Sequence, residues 1–270
     1  MVSFSAVMSV YRADEPNYFI EAVDSVLNQT VPPSELIIVV DGPVGSNLEL
    51  ALGEFKDQSI VRILRLEINQ GRGASRHASI LAARHELVAV MDADDISLPD
   101  RFERQLEQLA TSGVDVVGGF IEEFDETPGD SHRIRAVPLS HNDILRFGRW
   151  RQPMNHVTIM FRRSAYMSVG GYHSLRCVED YDLFYRMFVA GIKFVNIPEV
   201  LVYVRCGPSL LTRRRGLAYL RQELALMRRM RNSGYLNVWQ WMANSCLRIG
   251  IRLSPPGVVG LFYRLLRNAR

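Results

Sequence analysis

The sequence predicts an α/β fold: a doubly wound, mostly parallel sheet followed by a C-terminal helical extension. Apolar runs typical of buried strands alternate with segments of helical periodicity through the first hundred residues, as in a sheet with helices on both faces. One run, ELIIVV at residues 35–40, is apolar throughout, as expected of a strand buried on both sides. We therefore expect an α/β domain over residues 1–210 and a basic amphipathic helical extension over residues 211–270.

The first half is predicted as four strand–helix pairs. Pro16 is placed in the first turn of its helix, where the missing N–H costs no hydrogen bond. Ser46 and Glu49 have the spacing of a capping box, which predicts the start of the second helix. This alternation implies right-handed crossovers between parallel strands. The predicted strands are 4–10, 35–40, 61–68 and 87–91, and the predicted helices begin at about Pro16, Ser46, Ala74 and Pro99.

The second half is less regular. Residues 193–205 are predicted to be extended but broken by Pro198, because proline cannot donate to a strand ladder. No internal repeat or low-complexity linker separates this half from the first. The other predicted elements are strands over 114–124 and 155–161 and a helix over 179–191.

The composition is that of a soluble globular protein, with 47% hydrophobic and 23% charged residues. The cysteines Cys177, Cys206 and Cys246 are far apart, which argues against a disulfide framework or a zinc site. The N-terminus lacks the features of a signal peptide. No apolar run approaches the roughly 20 residues needed to cross a bilayer. We therefore expect a cytoplasmic protein.

The predicted extension is strongly basic. Residues 211–270 contain twelve Arg and one Glu, a balance of +11 that leaves −8 for the first 210 residues of a chain with net charge +3. No nucleic-acid partner is expected, because the basic and aromatic residues form no recognised DNA- or RNA-binding module.

Two interpretations of the extension stay open. Its first helix carries an apolar stripe that could pack on the domain, with solvated arginines outside. Alternatively, the extension could lie on the cytoplasmic face of the membrane, where anionic lipid attracts arginine. We favour packing for the first helix and the membrane surface for the last 35 residues or so, which include Trp239 and Trp241. The apolar stripe of the first helix consists of Leu217, Leu220, Leu224 and Met227.

Carboxylates cluster where two predicted strands end. Asp41 follows the second strand, and Asp92, Asp94 and Asp95 follow the fourth. In an open parallel sheet, ligands bind outside the carboxyl ends of the strands, so both groups should face one crevice. Paired carboxylate oxygens suit Mg²⁺ or Mn²⁺, which also binds a substrate diphosphate. The alternatives are that Asp94 and Asp95 cap the helix that follows, and that Asp41 belongs to an ordinary Asp-Gly turn.

Three further segments carry candidate site residues. In NQGRGASRH (69–77), Gly71 permits close approach of a ligand and Arg76 could meet phosphate at a helix N-terminus, although the spacing fails the dinucleotide fingerprint. Glu179 and Asp180 begin a predicted helix, where acidic residues are also common for electrostatic reasons alone. His156 precedes a predicted strand and, taken alone, fits a structural histidine better than a catalytic one.

Together these segments resemble family 2 glycosyltransferases with the GT-A fold, over about residues 4–206. Within that family the similarity is greatest to transferases of bacterial exopolysaccharide and capsule assembly, which share a segment like NHVTIMFR. The motifs that carry the resemblance, in chain order, are SAVMSVYRADEPNYFIEAVDSVLNQT, ELIIVVDGP, NQGRGASRH, VAVMDADDISLPDR and VGGYHSLRCVEDYDLFYRM.

The resemblance implies transfer of a sugar, with inversion, from a nucleotide-diphosphate sugar to a saccharide or lipid-linked acceptor. A UDP-sugar is the favoured donor and Mg²⁺ or Mn²⁺ the implied cofactor. Residues 1–100 would form the nucleotide-binding half and residues 101–210 the acceptor half. The implied nucleotide-sugar contacts are Ser9, Tyr11, Asp41, Gly71, Arg76 and Asp92; the metal ligands are Asp92 and Asp94; His156 and Glu179 lie on the acceptor side; and Asp180 is the general base.

The chain departs from the family pattern at two points. Gly42 stands where many relatives have a second Asp, and YVRCGPSLL lacks the His that often follows the final strand, so a third metal ligand is not evident. Two other functions stay open. A haloacid-dehalogenase-like phosphotransferase also places Asp-x-Asp after a strand, although Ile96 and the scarcity of lysine fit it poorly. The second open function is binding of a nucleotide sugar without catalysis.

Overall fold

The strands of the computed structural model form one sheet within the residues it describes, 2–173, 177–206 and 216–253. In chain order the strands are β1 (Phe4–Val10), β2 (Glu35–Asp41), β3 (Val61–Leu66), β4 (Leu87–Asp92), β5 (Ile96–Ser97), β6 (Val116–Phe124), β7 (Arg133–Arg135), β8 (Met160–Arg162) and β9 (Phe194–Arg205). Their order across the sheet is β3-β2-β1-β4-β8-β6-β9-β5, with β7 paired to β6.

The first half of the sheet is parallel, as predicted. β1 lies between β2 and β4, and β2 continues to β3, all in parallel register. Beyond β4 the sheet is mixed, because β8 runs antiparallel to both of its neighbours, β4 and β6, before β6 pairs in parallel with β9. The strand order reverses between β1 and β4, because β2 and β3 lie on one side of β1 and β4 lies on the other. In this register Ser9 of β1 lies opposite Asp92 of β4, and Asp41 ends the adjacent β2.

Helices cover both faces of the sheet. They are α1 (Pro16–Leu27), α2 (Ser46–Glu54), α3 (Arg72–Ala82), α4 (Arg101–Ser112), α5 (His141–Phe147), α6 (Arg163–Ser168), α7 (Glu179–Val189), α8 (Gly216–Asn232) and α9 (Val238–Leu253). Phe19 of α1 and Phe102 of α4 pack in one hydrophobic core. Ile80 of α3, Phe184 of α7 and Met227 of α8 pack in a second core. Side chains alternate along the strands, so each strand contributes to both cores.

Three local predictions differ from the structure. α2 begins one residue earlier than a Ser46 cap requires: Gly45 is the N-cap, and within the described chain no side chain caps this helix. Residues 155–161 form a 3₁₀ turn, His156–Thr158, and then the short β8 rather than one strand. Pro198 does not break β9, because it lies in an irregularity between Ile197 and Val200 where the register with β6 shifts.

The first helix of the extension packs on the domain. α8 buries Leu226, Met227 and Met230 in the second core. The predicted stripe is rotated, because Leu217 is 60% exposed and Leu224 is half-buried. Among the described residues no helix is long and apolar enough to cross a membrane. Part of the predicted extension, 211–215 and 254–270, lies outside the described residues.

Candidate active site

Asp41 positions the loop that enters α3. Its two carboxylate oxygens accept hydrogen bonds from the N–H groups of Gln70 (2.7 Å) and Gly71 (2.9 Å), and its backbone carbonyl accepts from the Asn69 amide (3.0 Å). Gly42 adopts φ +81°, and a Cβ there would lie 2.6 Å from the Asn69 nitrogen. Asp41 and Gly42 therefore form more than a simple turn, because they fix the glycine-rich loop against the end of β2.

Arg76 joins the end of β4 to the start of α7. It is buried on the second turn of α3, and its guanidinium forms an ion pair with Asp92 and lies 4.0 Å from Glu179. Burial opposes ionisation of Asp92, but Arg76, together with His156 and Arg72, outweighs it and lowers the pKa of that carboxyl below its usual value. Ser9 lies beside Asp92 on β1, and Tyr11 follows β1, half-buried, with its N–H bonded to Asp14 (2.9 Å).

The Asp-Ala-Asp-Asp loop separates its carboxylates. Asp94 is exposed, whereas Asp95 is buried and accepts a hydrogen bond from the Arg205 N–H at the end of β9 (2.9 Å). Burial and the neighbouring carboxylates raise the pKa of Asp95, and partial desolvation and Asp92 raise the pKa of Asp94. Neither residue caps α4, whose N-cap is Asp100. The capping interpretation of these acids is therefore wrong.

The carboxylates that could hold a metal ion are Asp92 and Asp94. Within the described parts of the chain, no group of three His, Cys, Asp or Glu side chains is arranged to bind a metal. Two hard oxygen donors fit Mg²⁺ or Mn²⁺ when a diphosphate and water complete the coordination, which is how these ions commonly bind with nucleotides. The residues present therefore fit a metal that arrives with its substrate, rather than a closed structural site.

Arg101 is a buried cation below this loop that the sequence analysis missed. Its guanidinium donates to the Val90 carbonyl (2.7 Å) and to the Gln105 side chain (3.1 Å), and it is fully buried. Burial lowers its pKa to about 9, opposed by the nearby Asp92 and Asp95. The sequence did contain a signal for this buried cation: Arg101 lies on the apolar face of an amphipathic helix, and Gln105 follows four residues later.

The acidic residues at the start of α7 have different environments. Glu179 is buried, with one oxygen 3.6 Å from Arg72 and 4.0 Å from Arg76, and its other oxygen has no partner in the described chain. Burial and the neighbouring Asp180 raise the pKa of Glu179. Asp180 is half-buried at the helix N-terminus and accepts from the Tyr181 N–H (2.8 Å). This places Asp180 at the solvent-accessible side of the pair.

His156 and Tyr172 share a hydrogen bond that the sequence analysis did not anticipate. The Nε2 atom of His156 contacts the Tyr172 hydroxyl. Burial lowers the pKa of His156 to about 4, with Arg76 adding to the effect and Asp180 and Asp92 opposing it. His156 is therefore a neutral imidazole at pH 7, set among the charged residues of the site. The only signal in the sequence for a role of Tyr172 in the site was its position: Gly170 and Gly171 come directly before it, and the acidic segment at Glu179 follows.

The candidate residues thus meet at the carboxyl edge of the sheet. Asp92 and Asp94 come from the end of β4, Arg76 from α3, and Asp180 from α7. The contacts of Arg76 with both Asp92 and Glu179 connect the two halves of the site.

Comparison with known proteins identifies relatives along the chain. Residues 5–173 match the family described as "Glycosyl transferase family 2". An uncharacterized glycosyltransferase of Haemophilus influenzae is 32% identical over 264 residues, which is 97% of this chain and 98% of that protein. The amylovoran biosynthesis glycosyltransferase AmsE of Erwinia amylovora is 33% identical over 96% of this chain and 97% of its own length.

A third relative has a more specific name. The UDP-Gal:alpha-D-GlcNAc-diphosphoundecaprenol beta-1,3-galactosyltransferase of Escherichia coli is 33% identical over 97% of this chain and 95% of its own. Among solved structures, S. aureus TarS 1-349 in complex with UDP-GlcNAc superimposes with a TM-score of 0.68 at 16% identity, over 92% of this chain and 72% of that one. This chain spans 43% of the longer TarS chain. The predicted GT-A fold is confirmed.

Proposed function

Because the chain belongs to glycosyl transferase family 2, we propose that it transfers a sugar from a UDP-sugar to an acceptor hydroxyl with inversion, dependent on Mg²⁺ or Mn²⁺, in cell-surface polysaccharide assembly. The observation that carries this proposal is the linked geometry of Asp92, Arg76 and Glu179, which connects the Asp-x-Asp loop to the helix that begins with Asp180. The UDP donor is supported by the E. coli relative, which is named for UDP-Gal, and by the S. aureus protein, which was solved in complex with UDP-GlcNAc.

The donor side is assigned to the edge formed by β1, β2 and β4. Ser9, Tyr11 and Asp41 would flank the base and ribose, and the loop at Gly71 would approach the diphosphate. Arg72, exposed on the first turn of α3, adds positive charge near that anion. A bound Mg²⁺ or Mn²⁺, held by Asp94 with Asp92, would supply the charge that stabilises a departing diphosphate.

The acceptor side is assigned to the N-terminus of α7. The acceptor hydroxyl would attack the anomeric carbon while the bond from that carbon to the diphosphate oxygen breaks, through an oxocarbenium-like transition state. Asp180 would take the hydroxyl proton on a carboxylate oxygen. Glu179 and the neutral His156 would bind acceptor hydroxyls beside it. A single displacement from the face opposite the leaving group inverts the anomeric configuration.

The decisive experiment combines the Asp180→Asn variant with product analysis. The donor would be UDP-galactose, and the acceptor a GlcNAc-diphosphate-lipid analogue, which the name of the E. coli relative suggests. We expect kcat to fall by about 10²–10⁴-fold, because the general base is lost, while UDP still raises the thermal midpoint. The matched control, Asp57→Asn, removes an exposed acid on the turn after α2 and should keep wild-type kcat.

NMR of the wild-type product decides the stereochemistry. Inversion requires a β-linked sugar from the α-linked donor. A retained configuration, or near-wild-type transfer by Asp180→Asn, would contradict the assignment. A raised thermal midpoint with one of a panel of UDP-, GDP- and dTDP-sugars, with neither transfer nor release of the nucleoside diphosphate, would favour a non-catalytic binder. The phosphotransferase alternative loses support because the family match and the GT-A fold identify a glycosyltransferase.

The acceptor is proposed to be lipid-linked and reached from the membrane surface through α9. This helix has a broad exposed face, along which an apolar stripe runs at spacings of three and four residues, with Trp239 at 77% exposure. An aromatic and aliphatic stripe of this kind suits the boundary between headgroups and acyl chains. Its members are Trp239, Met242, Cys246, Ile249 and Leu253.

Flotation with phosphatidylglycerol-rich and pure phosphatidylcholine vesicles tests this contact. The full-length chain is needed, because ending it near residue 208 would remove α8 from the second core. We expect wild type to float with the anionic vesicles and Trp239→Ser/Met242→Ser to stay in solution. Leu50→Ser, which removes an apolar residue exposed on α2, is the matched control. Equal flotation of the double variant and wild type would remove the stripe from the proposal.

A further inference from the structure

Asp182 is a fully buried carboxylate two residues after Asp180, and the proposed mechanism does not use it. One oxygen accepts from Arg186 of the same helix (2.8 Å), and His173 lies 3.5 Å away. The other oxygen accepts from Arg229 of α8 (3.1 Å). A buried carboxylate needs compensating charge, and the helical extension supplies Arg229 beside Arg186 to the second oxygen of Asp182.

The extension also approaches Tyr181, which lies between Asp180 and Asp182. The Tyr181 hydroxyl donates to the Gly148 carbonyl (2.7 Å). Burial raises the pKa of this hydroxyl, and the nearby guanidinium of Arg248 on α9 opposes that shift. Arg248 also donates to the Trp150 carbonyl (3.2 Å). The extension therefore fixes both the first turn of α7 and the turn after α5.

The extension is itself held together by a buried carboxylate. Glu223 of α8 accepts from two nitrogens of Arg252 on α9, at 2.7 and 2.9 Å, and lies 3.7 Å from Arg248. Unlike the Arg229–Asp182 pair, the Arg252–Glu223 pair joins α9 to α8 and has neither partner on α7. The two pairs thus differ in whether they contact the proposed catalytic helix.

We infer that the extension positions the catalytic base: Arg229, through Asp182, sets the placement of the first turn of α7 and hence of Asp180. This rests on the proposed function, which assigns Asp180 as the base. Arg229 touches no proposed substrate atom and is a positioning residue. Small displacements of a reacting group reduce rate steeply, because proton transfer needs hydrogen-bond geometry. Loss of the pair should therefore lower the rate of transfer more than it lowers donor binding.

The test compares Arg229→Gln with Arg229→Lys. We expect Arg229→Gln to lower kcat at least tenfold, while the dissociation constant for UDP stays within about twofold of wild type. Arg229→Lys should recover most of that loss, because a single contact to one carboxylate oxygen needs only a positive charge within reach. All rates are measured well below the thermal midpoint of each variant, so the folded fraction is the same.

Two control variants separate positioning from general stability. Arg228→Gln removes an exposed arginine next to Arg229 and controls for surface charge. Arg252→Gln breaks the buried pair with Glu223 and controls for a less stable extension. Both should keep kcat near wild type, although Arg252→Gln should lower the thermal midpoint. If Arg252→Gln lowers kcat as much as Arg229→Gln, or if Arg229→Gln keeps wild-type kcat, the inference is overturned.

Failure of this inference can be distinguished from failure of the proposed function. If Asp180→Asn abolishes transfer while Arg229→Gln is fully active, the base assignment stands and the positioning role is wrong. If Asp180→Asn is active, the proposed function fails first. If wild-type transfer is normal and both Asp180→Asn and Arg229→Gln lower kcat with unchanged UDP affinity, both hold.

Discussion

Arg76 of α3 and Asp92 at the end of β4 form an ion pair at the carboxyl edge of the sheet. The guanidinium is buried, whereas the Asp92 side chain remains 30% exposed. Arg76 therefore provides positive charge to the cluster of carboxylates. The proposed metal ion would stabilise the same ionised carboxylate as Arg76, so we expect their contributions to be interdependent.

Replacing Arg76 with Met should make the protein more dependent on metal. The variant leaves Asp92 without its main counter-charge, which we expect to cost roughly 1–3 kcal/mol of unfolding free energy. Mn²⁺ with UDP should then raise the thermal midpoint more in Arg76→Met than in wild type. Arg146→Met, which removes an exposed arginine on α5, should show the wild-type increment. Identical increments in all three proteins would refute this interdependence.

Replacing Asp94 with Asn should separate stability from metal binding. Partial desolvation and the neighbouring Asp92 raise the pKa of Asp94, so its charged form is disfavoured in the folded protein. Because a raised carboxyl pKa means lost stability as pH rises, the variant should be as stable as wild type or more stable at pH 7. That difference should shrink as pH falls toward 4. Differential scanning calorimetry without metal measures this effect.

The same Asp94→Asn variant should lose the thermal shift that Mn²⁺ and UDP are expected to produce together, because Asp94 is the more exposed of the two proposed metal ligands. Glu67→Gln, at an exposed acid after β3, is the control and should keep the shift. A normal metal-dependent shift in Asp94→Asn would show that the metal binds elsewhere.

Replacing Gly42 with Ala should disturb the loop that Asp41 holds. The backbone at this position has φ +81°, which costs an alanine about 1–2 kcal/mol. The new Cβ would also meet the Asn69 nitrogen at 2.6 Å. We expect a thermal midpoint several degrees lower and weaker UDP binding, measured by calorimetry. Gly53→Ala, on α2 with open space at the Cβ position, should leave both unchanged or slightly improved.

Replacing His156 with Gln should reduce the acid sensitivity of the fold. The pKa of His156 is lowered to about 4 by burial, whereas an unfolded histidine titrates near 6.5. The unfolded chain therefore takes up the proton first, and stability falls as pH decreases from about 6.5 to about 4. Urea titrations at pH 7 and pH 4.5 should show a smaller loss in the variant than in wild type.

The control for this pH effect is His132→Gln, which removes an imidazole that is 88% exposed. It should lose stability between the two pH values as wild type does. If His156→Gln shows the full wild-type loss, the acid sensitivity arises from other groups.

The sequence predicts the parts of the fold that depend on local pattern. The strands at Phe4–Val10 and Glu35–Asp41 follow from uninterrupted apolar runs, whose burial needs no knowledge of distant partners. The edge that gathers Asp41 and Asp92 follows from parallel strand order alone. The 3₁₀ turn at His156–Thr158 could not be predicted, because its apolar residues have the same alternation as a strand.

The residues that sequence analysis missed depend on distant partners. Arg101 is bonded to a carbonyl of β4, and Tyr172 to a histidine sixteen residues earlier. Likewise, the first-turn acids of α7 have similar local patterns, but Asp182 pairs with Arg229 from another helix. Local spacing therefore could not distinguish a buried ion pair from a site residue.

The inward-facing arginines of α8 and α9 change what a salt titration of this protein would report. Dissolved ions screen exposed charges strongly and buried pairs weakly. Concentrated sodium chloride would thus weaken any pairing of the exposed Arg221 and Arg228 with acidic groups, while the contacts of Asp182 and Glu223, and an apolar contact through Trp239 and Met242, would persist. Ionic strength therefore distinguishes the charged surface of the extension from its buried contacts.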